Sequence, residues 1–524
     1  MPPRKGALAK RLGEALREAA RVIVKKRRTE REQGDRPAAR LGAYSPMALG
    51  LHQEQIDALR CILFSGRNIF LSGVAGTGKS MVIRVLVEIA RRHFSPPRGA
   101  GAGWKPVLVS ATTGMAAEAL NIEGACTAHT LLSMGCGEDG PDVCVARMDD
   151  DRALIRDTRF IVIDEISMFD SGMLRLVLDI LRLVNFRGQL VVVGDLLQLG
   201  AVVKKGETLL PIVSGTAWRV ANFLELQLRV NHRQRDNPRF QKFLAEVRVG
   251  GYYRNGARER KEPVPDELRA IPGYSDRDCP WSVAALRVFK EIMSRPPQTE
   301  DGLEPLWMVS HNASVKSINE HRFSGLPGPA VAFQAKNKVI CTKGRLAAVG
   351  REMLASTGLP PAVTVKEGSM VMCPVNDPIT GLCNGSRGRV LSCSRVEMTV
   401  KFRGRPDPIT LRPSRRTFMH NGIPVAWWRG VPLIQAHAVT HHKGQGQTAA
   451  VMVEAESAWE VAQLYVALSR APDLSMLGYN GRLPRSSLKI NQELVDYDKK
   501  LSRGPSIPDV AASLNLPALP AFEQ

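Results

Sequence analysis

The chain has 524 residues, of which 44% are hydrophobic, so it is too long for one hydrophobic core and ordinary in composition for a globular protein of two to four domains. No apolar run approaches the length of a membrane-spanning helix, and no membrane partner is expected. The formal net charge of +21 favours a polyanionic partner, nucleic acid first. Nine cysteines without a CxxC pair fit a reducing compartment. Cys373, Cys383 and Cys393 are evenly spaced, but no further ligand stands close by, so they read as thiols rather than a metal set.

Residues 1–45 form a basic arm. Leu8, Leu12, Leu16, Ala19 and Ile23 share one side of a possible helix, and Lys25, Lys26, Arg27 and Arg28 follow. It reads as a flexible tail, with a nuclear-localisation or nucleic-acid arm as the functional alternative. A mitochondrial transit segment fits less well, because Glu14 and Glu18 are acidic and serine is lacking before Ser45. From Leu51 onward, short apolar runs at 68–71, 107–109, 160–163 and 190–193 alternate with helix-length segments, the pattern of a parallel sheet covered on both faces. A second set follows at 307–310, 434–439 and 449–453. Residues 251–300 carry little pattern. Residues 367–432 read as short β segments with turn signals at Asn384-Gly385, Arg403-Gly404 and Asn421-Gly422, and are taken as an all-β insertion. The segment after about 485 reads as a peripheral extension.

Gly73, Val74, Ala75, Gly76, Thr77, Gly78, Lys79 and Ser80 fit the phosphate-binding pattern G-x-x-x-x-G-K-[ST], with Met81 opening the next helix. The glycines let backbone N–H groups wrap the phosphates of ATP, and the helix N-terminus adds a favourable dipole. Lys79 is expected to reach the β- and γ-phosphates, and Ser80 to hold Mg²⁺. The run at 160–163 ends in Asp164 and Glu165, where ligands bind in parallel α/β sheets. Asp164 supplies a second magnesium carboxylate, and Glu165 is a base for the attacking water. The strand at 190–193 leads to Gly194, Asp195 and then Gln198, which is placed to sense the γ-phosphate or orient water.

These blocks, in this order, resemble superfamily I helicases, and most of all the petite-integration-frequency (PIF) family, relatives of RecD. The resemblance runs from about Leu51 to Leu477. LHQEQ, ending at Gln55, resembles an adenine-reading segment. SATTGMAA at 110–117, with Gly124, Thr127, His129 and Thr130, resembles a DNA-contact block, and VIDEISM at 162–168 the acidic motif. Asn231, His232, Arg233, Gln234 and Asp236 resemble the block that supplies an arginine to the γ-phosphate. THHKGQGQT at 440–448 resembles a late DNA-contact motif, and YVALSR, ending at Arg470, the final motif, whose arginine also faces ATP. GSMVM at 368–372 and GLCNGSRG at 381–388 look like the lead-in to a small barrel. The segment 170–187, with Leu174, Leu178, Leu181 and Arg182, loosely resembles a marker helix of the family. The pattern is broken in three places: Leu199-Gly200 replaces Pro-Pro, Gly444 replaces a serine, and His232 replaces an aromatic residue.

The resemblance implies an α/β fold of two RecA-like P-loop motor domains with parallel sheets, plus a small all-β barrel inserted in the second. The boundaries expected are a basic arm at 1–45, a first motor domain at 46–226, a second at 227–366 and 433–485, the barrel at 367–432, and a C-terminal extension at 486–524. ATP and Mg²⁺ are the implied cofactors. Lys79, Ser80, Asp164, Glu165 and Gln198 are expected from the first domain, and Arg233 and Arg470 from the second. Thr113, His129, His442, Lys443 and Gln445 are the expected DNA contacts, on single-stranded DNA and single-strand/duplex junctions. The implied function is that of an ATP-dependent DNA helicase moving 5′ to 3′, as a monomeric motor in replication, repair or recombination, with proteins of those processes as partners. The alternative is a DNA-dependent ATPase that displaces bound protein without unwinding. A nuclear setting is expected from the basic arm, with a mitochondrion or a virus as alternatives.

Overall fold

The computed structural model describes residues 51–516, apart from 98, 100–102, 135–138, 149–150, 202–209, 253–261, 300–301, 341–343, 376, 378–379, 383–384, 421–422, 446 and 457. The expected arm 1–45, Cys383 and the 384 and 421–422 turn positions lie outside the described residues. The chain separates into two compact units, one of 51–238 with 490–516 and one of 239–489.

The first unit is built on six strands: β1 (Ile69–Gly73), β2 (Val107–Ala111), β3 (Cys126–Thr127), β4 (Phe160–Asp164), β5 (Gln189–Gly194) and β6 (Leu224–Leu228). They pair in the order β3-β2-β4-β5-β1-β6, all parallel. Because strand side chains alternate, β1, β2, β4 and β5 each feed two separate cores. Ile69, Leu71, Phe160, Val162, Val191 and Val193 face one core, with helices Gln53–Phe64 and Lys79–His93. Phe70, Ile161, Ile163, Leu190 and Val192 face the other, with helix Ser171–Leu183. Burial on both faces explains why β1, β2, β4 and β5 read as unbroken apolar runs.

The C-terminal segment corrects the expectation of a peripheral extension. Helix Gln492–Arg503 lies against β6. Its Tyr497 hydroxyl donates to Glu225, which also accepts from Trp218 Nε1 at 3.1 Å. Gln227 Nε2 donates to Asp498 Oδ1 at 3.4 Å, and Arg229 Nη2 to the Gly504 carbonyl at 2.8 Å. Helix Ile507–Ser513 buries Ile507 and Ala511 in the same core as helix Gln53–Phe64. Sequence after 485 lacks long apolar runs, and its few buried residues carry the docking.

The second unit holds a four-stranded parallel sheet in the order β18-β7-β19-β20, from β7 (Leu306–Val309), β18 (Ala438–Thr440), β19 (Val451–Glu454) and β20 (Leu477–Asn480). The run at 434–439, expected as one strand, divides in two. β17 (Ile434–Gln435) pairs antiparallel with β11 (Met370–Met372), while β18 pairs parallel with β7. Between them His437 Nε2 accepts from the Met370 N–H at 3.2 Å, and Nδ1 lies 3.2 Å from Glu304 Oε2. Arg387 is buried beside this junction. It donates to the Ala436 carbonyl at 2.9 Å and the Glu304 carbonyl at 2.5 Å, and burial lowers its pKa to about 10.

β12 (Arg387–Cys393), β13 (Met398–Phe402) and β14 (Ile409–Leu411) extend β11 and β17 into a five-stranded sheet. β15 (Ser414–His420) and β16 (Ile423–Gly430) join β9 (Lys336–Val339) in a three-stranded sheet. β8 (Val331–Gln334) pairs with β10 (Ala362–Val365). The β block is therefore wider than 367–432, drawing three strands from before it and one from after it. Residues 251–300, read as patternless, contain helix Val283–Ser294, capped by the Ser282 hydroxyl, beside a fully buried Trp281. The cap and the apolar positions Leu286, Phe289 and Ile292 were the signal available there.

Replacing Ile507 with alanine, far from the P-loop, is expected to cost about 2–5 kcal/mol, the usual range for emptying a buried aliphatic site. Hydrogen exchange at helix Gln53–Phe64 should then speed up. Unaltered exchange there would mean the C-terminal helix does not brace this core.

Candidate nucleotide and DNA sites

The C-terminal edge of the first sheet gathers the groups that the sequence singled out. β1 runs into the loop from Gly73 to Lys79, in which Gly76 (φ 93°) and Gly78 (φ 83°) take left-handed backbone that L side chains rarely adopt. A Cβ on Gly76 would stand 2.7 Å from Asn231 Oδ1, so that neighbour adds a steric requirement. Thr77, fully buried, ties the loop by donating its hydroxyl to the Val74 carbonyl at 2.9 Å. Ser80 and Met81 follow in the first turn of helix Lys79–His93.

Lys79 donates its ammonium to the carbonyls of Gly73 at 2.7 Å and Val74 at 3.2 Å. Burial lowers its pKa, and the carboxylates of Asp195, Glu165 and Asp164 oppose that shift, in that order. Asp164 ends β4 and is buried, with Oδ1 accepting the Glu165 N–H at 2.9 Å. Burial first, then the neighbouring Glu165, pushes the Asp164 carboxyl up to about 7. Glu165 is left-handed (φ 54°), and its Oε2 is buried with no hydrogen-bond partner among the described residues. A buried acceptor without a donor in a sharply turned segment marks a place where something other than the protein completes the bonding. Asp195, fully buried after β5, accepts from the Leu197 N–H at 3.2 Å and from Gln198 Nε2 at 3.3 Å.

Asp195 is the residue that sequence reasoning passed over. Its sequence context assigns it no role, although it follows a buried strand as Asp164 does. Its carboxylate is the largest counter-charge to Lys79.

Gln55 is buried, and both ends of its amide are engaged. Oε1 accepts the His52 N–H at 2.9 Å and Nε2 donates to the Thr77 carbonyl at 3.1 Å. In this state Gln55 braces the P-loop. Asn231 does so from the other side: its Nδ2 donates to the Ala75 carbonyl at 3.1 Å, and its Oδ1 accepts the N–H groups of Arg233 and Gln234 at 3.0 and 3.1 Å. His232 donates its N–H to the Gly76 carbonyl at 2.9 Å and meets the His52 ring edge-on at 5.6 Å. That contact gives the histidine in place of the family's aromatic residue a packing role.

Arg233 was expected from the second domain. It belongs instead to the first unit, because β6 pairs with β1 and releases the chain directly beside the P-loop. Its charge is close enough to depress the Lys79 pKa further. Arg470 belongs to the second unit. It is buried at the end of helix Val461–Leu468, donating Nε to the Val466 carbonyl and Nη2 to Ser469 Oγ, each at 2.8 Å.

The expected DNA residues fall in two places. Thr113 follows β2 and caps helix Gly114–Ala119, its hydroxyl accepting the Ala116 N–H at 3.1 Å. His129, half-buried, meets the Phe169 ring edge-on at 6.1 Å, and desolvation lowers its pKa. Thr127 caps its helix, the hydroxyl accepting the Thr130 N–H at 3.1 Å. In the second unit, His442, Lys443 and Gly444 sit in helix His441–Gly444, with the His442 side chain outside the described set. Lys443 is exposed, and Gln445 Nε2 is buried without a hydrogen-bond partner among the described residues. A Cβ at 444 would meet the flexible thioether end of Met308 from β7.

The carboxyl of Asp164 supplies a pH test. Its folded pKa of about 7 lies above the ordinary aspartate value of 3.8, so the folded state holds the proton more tightly. Stability from this group is complete below the lower value and is lost as pH rises through the upper one. Asp164→Asn is therefore expected to gain on the wild type between about pH 4 and pH 7, measured as Tm in the absence of nucleotide and metal. A Tm difference that stays flat across that window would show that the carboxyl is not desolvated.

An AAA domain model matches residues 50–257. The ATP-dependent DNA helicase PIF1 of Emericella nidulans is 27% identical over 513 residues, covering 85% of this chain and 62% of that protein. Its Xenopus laevis counterpart is 27% identical, covering 84% and 63%. The chain thus spans under two thirds of the length of these relatives, but 89% of the Bdellovibrio bacteriovorus helicase Pif1, which is 28% identical. Among solved structures, the crystal structure of Pif1 helicase from Candida albicans matches with a TM-score of 0.67 at 25% identity, covering 86% of this chain and 99% of that one. A Bacteroides Pif1 structure in complex with ADP-AlF3 and ssDNA matches in fold, with a TM-score of 0.57 at 21% identity, covering 87% and 98%. In sequence the chain is similar to helicases named PIF1, and in fold to solved Pif1 helicase structures.

Proposed function

We propose that the protein is an ATP-dependent DNA helicase that moves 5′ to 3′ on single-stranded DNA and opens single-strand/duplex junctions. The observation that carries this reading is the Lys79 ammonium held at the end of the P-loop, with the carboxylates of Asp164, Glu165 and Asp195 opposing its loss of charge. A motif kept only as a relic would have no reason to keep that balance.

The donor set suits a magnesium nucleotide. Ser80 and Asp164 offer hard oxygen ligands, and Mg²⁺ is usually held by one or two carboxylates together with substrate phosphates. Bound Mg²⁺ would neutralise phosphate charge, and Ser80 and Asp164 would hold it. Lys79 would exchange its two carbonyl partners for phosphate oxygens. Glu165, with an unpaired buried Oε2, would take the proton of the attacking water, and Gln198 would orient that water. Arg233 lies beside the P-loop already, and Arg470 keeps the role the family pattern gives it; cations on a transferring phosphoryl group are worth about 10³–10⁵ in rate. Gln55 would release its brace to read adenine.

Thr113, His129, His442, Lys443 and Gln445 are proposed as backbone contacts to DNA, giving salt-sensitive binding without sequence preference. The wide β block is read as the family's small barrel. Replication or repair proteins are the proposed partners, and the basic arm supports a nuclear setting.

Strand separation with ATP and Mg²⁺, on duplexes carrying a 5′ or a 3′ single-stranded tail, tests the reading. The 5′-tailed duplex alone should open, and Lys79→Ala should lower ATP hydrolysis and unwinding by about 10³-fold or more, as loss of a main phosphate contact does. Hydrolysis stimulated by DNA with neither duplex opened would favour a remodelling ATPase. Opening of the 3′-tailed duplex would reverse the direction.

A further inference from the structure

The sheet β15-β16-β9 has two unlike faces. Helix Gly344–Ser356 packs against all three strands, and Ala426, Trp428 and Gly430 are buried. The register sets the other face. Arg415, Arg429 and Lys336 stand on one rung, and Thr417, Trp427 and Lys338 on the next rung of that face. All are exposed except Trp427, which is half-buried. The Arg415 guanidinium lies over the Trp427 ring, 4.8 Å from its centroid.

Like charges directly opposite on neighbouring strands repel and destabilise the pairing. Here three cations share a rung and a fourth stands on the next, with no ion pair to any of them among the described residues. No acidic residue occurs anywhere in 414–430 or 334–350. The adjacent arginines are treated differently: Arg416, on the covered side, lies 2.9 Å from the buried Asp377, and Arg412 lies 2.7 Å from Glu397. The sequence could therefore have neutralised this rung and did not.

We infer that this open face is a second binding surface for single-stranded DNA, separate from the residues that carry the motor motifs. Arg415, Arg429, Lys336 and Lys338 meet phosphates, and the Trp427–Arg415 stack offers a platform for an unpaired base. The aromatic decides between single strand and duplex, because a duplex keeps its base faces inside the stack. Base stacking on an aromatic, with cations along the backbone, is the sequence-tolerant mode of single-strand recognition.

The test uses the full chain and a fluorescent oligothymidylate, with an abasic oligomer of the same length beside it. Arg415→Ala with Arg429→Ala should reduce the slope of log affinity against log salt by about 1.4, two phosphates at about 0.7 each. Its Tm should be equal to or higher than wild type at low salt, since repulsion is relieved. Trp427→Ala should weaken oligothymidylate binding about tenfold and leave abasic binding unchanged. Trp427→Phe should retain most of the affinity, which separates stacking from folding. An unchanged salt slope in the arginine variant, or equal loss on both oligomers in the tryptophan variant, overturns the inference. Loss of duplex binding alone would reassign the face to duplex backbone. A wild-type chain that binds no oligonucleotide sinks the motor reading as well, so the two failures are distinct.

Discussion

The Lys79 ammonium sits where desolvation works against its charge, and carboxylates at the ends of two other strands make that charge tolerable. β1 brings the lysine, β4 brings Asp164 and Glu165, and β5 brings Asp195. These strands are neighbours in the order β4-β5-β1, so parallel pairing alone places all four groups at one edge. Removing the sheet order would scatter them. Removing the charges would leave a sheet with an ordinary loop.

The loop itself is held from outside as much as by its glycines. Gln55 reaches Thr77 from one side, while Asn231 and His232 reach Ala75 and Gly76 from the other. Glu54 extends the same clamp by accepting the N–H groups of Arg229 and Val230 at 3.0 and 3.1 Å. A phosphate-binding loop that must present N–H groups outward benefits from having its carbonyls occupied inward. The segments before β1 and after β6 therefore act as parts of the nucleotide site, although they lie more than 150 residues apart in sequence.

Much of this was legible in the sequence, for a physical reason. Strands buried on both faces leave long apolar runs, and a phosphate loop needs glycine at fixed places, so β1, β4, β5 and the loop stood out. Asp195 was visible but unassigned, since one acid after a strand says little until its neighbour across the sheet is known. The unit that holds Arg233 could not be read locally, because it depends on β6 pairing with β1 across some 150 residues of chain. In the C-terminal helices the turn-by-turn spacing of Leu494, Tyr497 and Leu501 was legible, but the polar bonds at Tyr497 and Asp498 that complete the docking leave no periodic signal. The division of 434–439 was hidden because no turn residue interrupts it, and only the buried His437 marks the change of partner.

That division has a mechanical meaning. β17 belongs to the antiparallel block and β18 to the parallel sheet, and only Ala436 and His437 separate them. The Arg387 guanidinium, rooted in β12, grips the carbonyl of Ala436 within this joint and that of Glu304 just before β7. A guanidinium is planar and stiff, and its bonds here leave little freedom to swivel. Torque applied to the β block is thus delivered to the parallel sheet within two residues, with no slack chain to absorb it. The block works as a lever arm welded to its axle, rather than a flag on a string.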